Sequence, residues 1–301
     1  MIPTDNIFIE RYQSGRPHEG KVLAAVQAHA DDIPLFCSGT IAKLIDEGYT
    51  AYLIQTTNDE KCGPTASIGE TILQNEREVD ELVKVLGFKG VYHLGYRNHR
   101  LDEASPQELR ARLIFLFRAL KVDTVFTFNP WGHGEENPDH IITAQAVEAA
   151  RWMAGMGKDY PEHTAAGLTP HTVRDQYYWT VRYVQPYNRV VDISAYIEKK
   201  IDAMVVNKAQ GPAGAAGSRL RKKLEAAGIR IPAFGENDET ADREYVRLFG
   251  LCDFSDLAEK YELKYAEAFY YIPPGGTFIG TVDSEAVQKY IDENGMVQDK
   301  N

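Results

Sequence analysis

The stretch Val22–Ile33, VLAAVQAHADDI, decides how the rest of the chain is interpreted. Its first part, Val22–Ala28, is uncharged and rich in small and β-branched residues, as expected of a strand buried on both faces of a parallel sheet. His29, Asp31 and Asp32 follow directly at the carboxyl end of that strand. In open α/β sheets ligands bind at this edge, because loops there converge on one crevice. The stretch therefore predicts a buried strand that delivers polar side chains to a site.

The same alternation of strand and helix continues through the first half of the chain. Strand-like runs occur at 50–57, 91–94 and 122–128, and helical spacing occurs at 38–48, 70–86, 109–120 and 141–153. Such a pattern predicts an α/β fold, a Rossmann-like three-layer α/β/α arrangement with a mostly parallel sheet.

The second half of the chain carries weaker signals. We expect a strand at Tyr177–Val184, a mobile loop at the Gly- and Ala-rich Ala209–Ser218, and a folded continuation that includes Phe269–Ile272. Two domain divisions stay open. One is a core of residues 1–185 with a C-terminal continuation, 186–301, packed on it; the other is a single domain, 1–301.

Composition excludes several classes of protein. The formal charge of −11 argues against a nucleic-acid partner, because phosphate binding depends on clustered Lys and Arg. The three cysteines form no CxxC pair, which disfavours a disulfide framework and a zinc knuckle. No basic leader and no run near the about 20 apolar residues of a membrane helix is present. We therefore expect a cytoplasmic protein without a membrane partner, and a homo-oligomer stays open.

The polar residues after the first strand suit a metal. His29 and Asp32 lie three apart on one turn, and Asp139-His140 also follows a buried strand and opens a helix. His29, Asp32 and His140 could supply three ligands to zinc (Zn2+) and leave one position open, with ferrous iron (Fe2+) as the second candidate. The alternative for His29 is an imidazole hydrogen-bonded to a nearby carboxylate. Asp31 is placed to act as a general base.

At these residues the chain resembles the LmbE-like or PIG-L-like N-acetylglucosaminyl deacetylase family. The family pattern Ala-His-Pro-Asp-Asp-Glu stands here as Ala28–Ile33, AHADDI, and the pattern His-Pro-Asp-His stands as Asn137–His140, NPDH. The resemblance covers roughly residues 20 to 155. It implies a metal-dependent deacetylase in which His29, Asp32 and His140 hold the metal and Asp31 activates water.

The chain also departs from the family pattern. Asp139 in the family orients an imidazole that assists the oxyanion or leaving group, and Asn137 replaces that imidazole here. An amide can donate a hydrogen bond but carries no proton to transfer, so only an electrostatic role is expected of Asn137. His133, between two glycines, is a candidate replacement. Asn98 stands nearest to the family's sugar-binding aspartate and, with Arg97, is a candidate substrate contact.

We therefore expect a zinc-dependent hydrolase that removes an N-acetyl or other N-acyl group from a small-molecule amino sugar or glucosamine-containing conjugate. The alternatives are an amidase of a thiol-sugar or another N-acyl conjugate, and a metal-binding family member with little turnover. A nucleotide-dependent oxidoreductase is disfavoured, because no Gly-x-Gly-x-x-Gly follows the first strand and Asp31 and Asp32 would repel a pyrophosphate.

Overall fold

The structure is a computed structural model that describes residues 7–211, 214–275 and 284–295. Its sheet has eight strands in the order β1-β7-β8-β6-β5-β2-β3-β4. All strand pairs are parallel except those of β8, which runs antiparallel to β6 and β7. The strands are β1 (Phe8–Glu10), β2 (Val22–Gln27), β3 (Thr50–Thr57), β4 (Gly90–Tyr96), β5 (Thr124–Phe128), β6 (Asp175–Trp179), β7 (Arg189–Asp192) and β8 (Ala266–Ile272).

Helices flank this sheet on both sides. They are α1 (Asp32–Phe36), α2 (Ser38–Asp46), α3 (Ile68–Leu86), α4 (Pro106–Leu120), α5 (Pro138–Ala154), α6 (Pro161–Ala165), α7 (Ile197–Val206), α8 (Ala216–Ala226), α9 (Asp238–Tyr245), α10 (Cys252–Glu259) and α11 (Ser284–Asn294). Among the described residues, no helix has the length and apolar character needed to cross a membrane.

Alternate residues of β2 enter two different cores. Leu23 and Ala25 pack in the core that contains residues of α2, α3 and α7, whereas Ala24 and Val26 pack in the core under α4 and α5. A strand buried on both faces reads as a continuous apolar run, which is the pattern that predicted β2. The predicted three-layer fold with a mostly parallel sheet is therefore confirmed.

The sheet runs across the division expected near residue 185, because β7 pairs with β1 and β8 pairs with β6, and both β1 and β6 precede that residue. The strand predicted at Tyr177–Val184 is shorter than expected, because β6 ends at Trp179. Tyr183, beyond its end, is 94% exposed. In Ala209–Ser218, α8 already begins at Ala216, and residues 209–211 make specific contacts that are described below.

A buried ion pair ties the second half to the turn after β2. The ammonium of Lys200 on α7 lies 2.8 Å from the carboxylate of Glu267 on β8 and donates to the carbonyls of Pro34 and Leu35. Glu267 also accepts hydrogen bonds from the amides of Gly39 and Thr40 at the start of α2. The pair therefore fixes α1 and α2 against the sheet.

Replacing Lys200 with methionine is expected to lower the free energy of unfolding by about 3–5 kcal/mol, because Glu267 would stay buried without its counter-charge. Urea denaturation measures this change. The control is Lys199→Met, because Lys199 is exposed. In the double variant with Glu267→Gln, part of the loss should be recovered, since no charge is then left unpaired. A loss below about 1 kcal/mol in Lys200→Met would contradict the assigned role.

Candidate metal centre

Three side chains meet where β2 and β5 end. One ligand atom from each of His29, Asp32 and His140 lies within 4.8 Å of the others, and all three residues are buried. The turn after β2 is held by Asp32 itself, whose Oδ2 accepts hydrogen bonds from the amides of Ala28 and His29 at 3.0 and 2.7 Å. His140 comes from the first turn of α5, across the sheet edge. The two polar segments singled out in the sequence are thus brought together.

Each imidazole in this cluster has a carboxylate on its outer nitrogen. His29 Nε2 lies 3.1 Å from Asp139 Oδ2, and His140 Nδ1 lies 3.3 Å from Glu135 Oε2. When each imidazole carries a single proton, such partners hold that proton on the outer nitrogen, and the inner nitrogen then has a lone pair to offer a metal.

The inner nitrogens, His29 Nδ1 and His140 Nε2, face each other at 3.1 Å, and Asp32 Oδ1 lies 3.4 Å from His140 Nε2. Two lone pairs and a carboxylate converging on one point repel one another unless a cation lies between them. The donor set therefore fits a metal ion, and its mixture of imidazole nitrogen and carboxylate oxygen is the kind that zinc and iron accept.

The electrostatic field at the cluster favours positive charge. Burial by itself would lower the pKa of His29, but the hydrogen bond to Asp139 and the charge of Asp32 raise that pKa from 6.5 to about 9. Burial likewise opposes protonation of His140, yet the charges and contacts of Asp32 and Glu135 raise its pKa to about 10. The surrounding carboxylates thus more than offset the cost of placing a cation in a buried site.

Asp31 lies beside the cluster, at the residue that precedes α1. Burial and the neighbouring charge of Asp32 raise the pKa of its carboxyl group to about 6. Gly211 lies directly against it, since a Cβ at Gly211 would be 3.5 Å from Asp31 Oδ2. Gly211 has a φ of +85°, which a residue with a side chain adopts at a cost. The backbone conformation therefore favours glycine here, and a side chain at this position would lie in contact with Asp31.

Gly211 belongs to a short segment, Ala209–Gly211, which we call the strap. The carboxylate of Glu78 on α3 accepts from the amide of Ala209 at 3.0 and 3.1 Å, and Gln210 Nε2 donates to Asn75 Oδ1 at 2.9 Å. The strap is therefore anchored to α3 where it passes Asp31. The small residues alone predicted a mobile loop at Ala209–Ser218. The hydrogen bonds to Glu78 and Asn75 instead hold Ala209–Gly211 against α3.

Asn137 and Asp139 lie at the start of α5. Asn137 caps this helix through Oδ1, which accepts from the amide of Asp139. Asp139 is buried and accepts from His29 and from the amides of His99 and Leu101, an arrangement that lowers its pKa. The imidazole that Asp139 contacts is thus that of His29, in the turn after β2.

The other candidate residues lie at different depths. His133 is exposed in the loop after β5, between Gly132 and Gly134. Asn98 is buried, and its Nδ2 has no hydrogen-bond partner among the described residues, as expected of an amide that meets a bound molecule. Arg97 is about half exposed and pairs with Glu60 at 2.8 Å.

Three residues at the site carried no expected role. Glu135 contacts His140; burial opposes the ionisation of Glu135, but that contact and the amide of Asn137 lower its pKa to about 2. Asp59 is buried and accepts from the amide of Ala30 at 2.8 Å. The ring of His99 lies 6.0 Å from that of His29, centroid to centroid. Asp59 and His99 both have positive φ values, which are uncommon for residues other than glycine.

Glu135→Gln is expected to weaken metal binding by about tenfold to a hundredfold, because the carboxylate that orients His140 would lose its charge. Competition with a chromogenic chelator measures the affinity. Glu136→Gln is the matched control, since Glu136 is the exposed neighbour. Equal affinities in the two variants would show that Glu135 does not support the ligand.

Comparison with known proteins gives a consistent family signal over the first half of the chain. The profile of the family described as PIG-L, GlcNAc-PI de-N-acetylase, matches residues 24–151, which include all three candidate ligands. A 1D-myo-inositol 2-acetamido-2-deoxy-alpha-D-glucopyranoside deacetylase of Mycolicibacterium smegmatis is 26% identical over 194 residues, 54% of this chain and 60% of that protein. A probable N-acetyl-alpha-D-glucosaminyl L-malate deacetylase of Bacillus anthracis is 25% identical over 135 residues, 45% of this chain and 55% of that protein. The chain thus aligns with little more than half the length of these relatives.

Solved structures share the fold over more of the chain. The N,N'-diacetylchitobiose deacetylase of Pyrococcus horikoshii superposes with a TM-score of 0.68 at 23% identity, covering 88% of each chain. A 4-carboxy-2-hydroxymuconate hydratase of Pseudomonas putida superposes with a TM-score of 0.61 at 16% identity, covering 88% of this chain and 99% of the other. The fold therefore hosts more than one reaction, and function has to be argued from the site.

Proposed function

We propose that the protein is a metal-dependent hydrolase that removes an acetyl group from the nitrogen of an amino sugar in a small-molecule conjugate, because residues 24–151 match the profile of the family described as PIG-L, GlcNAc-PI de-N-acetylase. The observation that carries this proposal is the pairing of a three-ligand metal site with a spare carboxylate. A structural zinc normally has four protein ligands and no adjacent base, whereas a catalytic site keeps a position open. His29, Asp32 and His140 supply three ligands, and Asp31 is the additional group.

A divalent cation in this site, zinc first and ferrous iron second, would polarise the acyl carbonyl and lower the pKa of a water molecule toward about 7. The remaining chemistry belongs to the side chains of the protein. Asp31 accepts a proton from the attacking water as the water oxygen bonds to the carbonyl carbon. The carbon–nitrogen bond then breaks, the proton passes from Asp31 to the leaving nitrogen, and the products are acetate and the free amine. The strap beside Asp31 keeps bulk water from competing for this proton.

Other residues would position the substrate and stabilise charge. Asn137 uses Oδ1 for the helix cap, which leaves its Nδ2 to donate to the developing oxyanion, with His133 as the second candidate donor. The unpaired Nδ2 of buried Asn98 suits a sugar hydroxyl, and Arg97 at the rim is the second substrate contact.

The test combines metal content with acetate release. Purified protein, reconstituted anaerobically with zinc or with ferrous iron, is assayed on N-acetylglucosamine, N,N'-diacetylchitobiose and N-acetylglucosaminyl inositol. We expect about one metal ion per chain and acetate in equimolar amount to free amine. Absence of metal after reconstitution would overturn the proposal. Bound metal without acetate from any substrate would favour the alternatives, an amidase of another N-acyl conjugate such as a thiol-sugar, or a metal-binding protein with little turnover.

A further inference from the structure

The turn after β2, residues 28–33, carries the candidate base and two of the candidate ligands. Asp32 holds the first two amides of this turn through Oδ2. The amide of Ala30 donates instead to Asp59 Oδ2 at 2.8 Å. Asp59 is buried and belongs to the loop that follows β3. The residue that precedes Asp31 is therefore held by a side chain from the loop of a neighbouring strand.

Ala30 is a departure from the family pattern that brings a hydrogen-bond donor into the turn. The pattern Ala-His-Pro-Asp-Asp-Glu has proline at this position, and proline has a fixed φ and no N–H. Alanine leaves φ less restricted and adds an N–H, which at a fully buried residue has to be paired. Because Asp59 accepts from that N–H, its carboxylate restrains the backbone where the chain lacks a proline ring.

The carboxylate of Asp59 also ends a chain of buried side chains that reaches the far side of Asp31. The amide of Ile33 donates to Gln27 Oε1 at 3.2 Å, and Gln27 Nε2 donates to Gln55 Oε1 at 2.6 Å. Gln55 Nε2 then donates to Asp59 Oδ2 at 2.6 Å. Every hydrogen bond in this chain donates toward Asp59, so only an acceptor suits its end. The backbone on both sides of Asp31 is thus tied to one carboxylate.

The backbone of Asp59 is itself held in an unfavourable conformation. Its φ is +52°, in the left-handed region that favours glycine, and such conformations persist where the surroundings fix them. Asn75 Nδ2 on α3 donates to the carbonyl of Asp59 at 3.4 Å, and Asn75 Oδ1 accepts from Gln210 of the strap. The same asparagine therefore supports both Asp59 and the strap that contacts Asp31.

Resting on the function proposed above, we propose that Asp59 is a positioning residue for the general base. By accepting the amide of Ala30, it fixes the residue that precedes Asp31 and so holds the carboxylate of Asp31 at the metal centre. The candidate ligands depend on it less, because Asp32 holds the amide of His29. Asp59 therefore acts on the chemical step more than on metal binding, since proton transfer needs a precisely placed base.

The test compares Asp59→Gly with Asp59→Asn, both saturated with metal and shown by circular dichroism to be folded. Both variants remove the charge and tolerate a positive φ, but only asparagine keeps an oxygen that can accept from Ala30. Its NH2 group would replace Asp59 Oδ1, which has no hydrogen-bond partner among the described residues. We expect kcat of Asp59→Gly to be at least about tenfold below that of Asp59→Asn, with KM within about twofold and metal affinity within about threefold.

A second variant tests the role by rescue. Ala30→Pro removes the N–H that Asp59→Gly leaves unpaired, and it restores a fixed φ. The double variant should therefore regain at least about threefold in kcat over Asp59→Gly. Ala30→Pro alone should lower kcat, because Asp59 Oδ2 then loses its donor and meets the proline ring. Equal effects of Ala30→Pro in the two backgrounds would show that the two positions are not coupled and would overturn the inference.

Hydrogen exchange gives a readout that does not depend on turnover. In protein labelled with 15N-alanine, the Ala30 amide is the signal that disappears in Ala30→Pro. This amide should exchange at least about tenfold faster in Asp59→Gly than in Asp59→Asn, because its acceptor is missing. The amide of Ala25, in the middle of β2, is the internal reference and should exchange equally in both.

The outcomes separate this inference from the proposed function. Equal kcat in Asp59→Gly and Asp59→Asn, or equal exchange of the Ala30 amide, would leave the deacetylase standing and overturn the role of Asp59. A loss of metal affinity as large as the loss of kcat would also overturn it, because Asp59 would then support the ligands and not the base. No turnover of any substrate by the unchanged protein would remove the proposed function, and the positioning role with it.

Discussion

Asp31→Asn is expected to lower kcat by about a hundredfold to ten-thousandfold while the protein keeps its metal. The amide is nearly the same size as the carboxylate but cannot accept a proton from water, so the chemical step loses its base. Asp31 is not needed as a ligand, because His29, Asp32 and His140 already converge on one point. Acetate release and metal content, measured on the same preparation, check the two halves of this prediction.

The control for Asp31→Asn is Asp102→Asn, at an exposed position away from the strap. It should match the unchanged protein in both measurements. If Asp31→Asn retained more than about a tenth of the activity, the general base would have to be sought elsewhere. If Asp31→Asn lost the metal, Asp31 would belong to the ligand set and the assignment of roles would change.

His140→Ala is expected to weaken metal binding by more than about a hundredfold, because the loss of a ligand exceeds the tenfold to hundredfold effect of losing an outer partner. Acetate release should disappear with the metal. The side chain of His140 is buried against Phe128, with ring centroids 4.0 Å apart, so some stability is lost as well. Metal affinity is therefore measured by competition at a temperature where circular dichroism shows the variant folded.

His133→Ala is the matched imidazole control, because His133 is exposed and lies outside the cluster of three ligands. It should retain the metal whatever its effect on turnover. A folded His140→Ala protein that bound metal as tightly as the unchanged chain would refute the assigned centre.

The parts of the fold that could be predicted from sequence are those with a strong local period. β2, β3 and β5 are apolar runs that end in polar residues, and α3 shows helical spacing followed by Gly87, which is left-handed. The two polar segments could be predicted to meet because the carboxyl ends of parallel strands share an edge. The local sequence pattern was therefore sufficient to predict the alternation of strands and helices and to select the three candidate ligands.

The remaining features depend on contacts between distant residues. Glu135 resembles any acidic loop residue until the fold sets it against His140, and only the packed structure shows that Gly211 lies against Asp31. His93 belongs to the strand-like run 91–94 but is exposed, since β4 forms the edge of the sheet. Strand order and loop-to-site contacts carry no periodic signal, so sequence reasoning did not find them.

The position of β8 has a consequence for how the chain reaches its final shape. Residues 266–272 lie between β6 and β7, and among the described strands β1 pairs with β7 alone. During synthesis one edge of β6, with the sequence DQYYW, therefore stays unpaired until residues 266–272, which form β8, leave the ribosome. Pairing between strands so far apart along the chain is slow, and an uncovered aromatic edge invites aggregation. The nascent protein is thus most vulnerable just before β8 arrives, and that interval is when a chaperone would benefit it most.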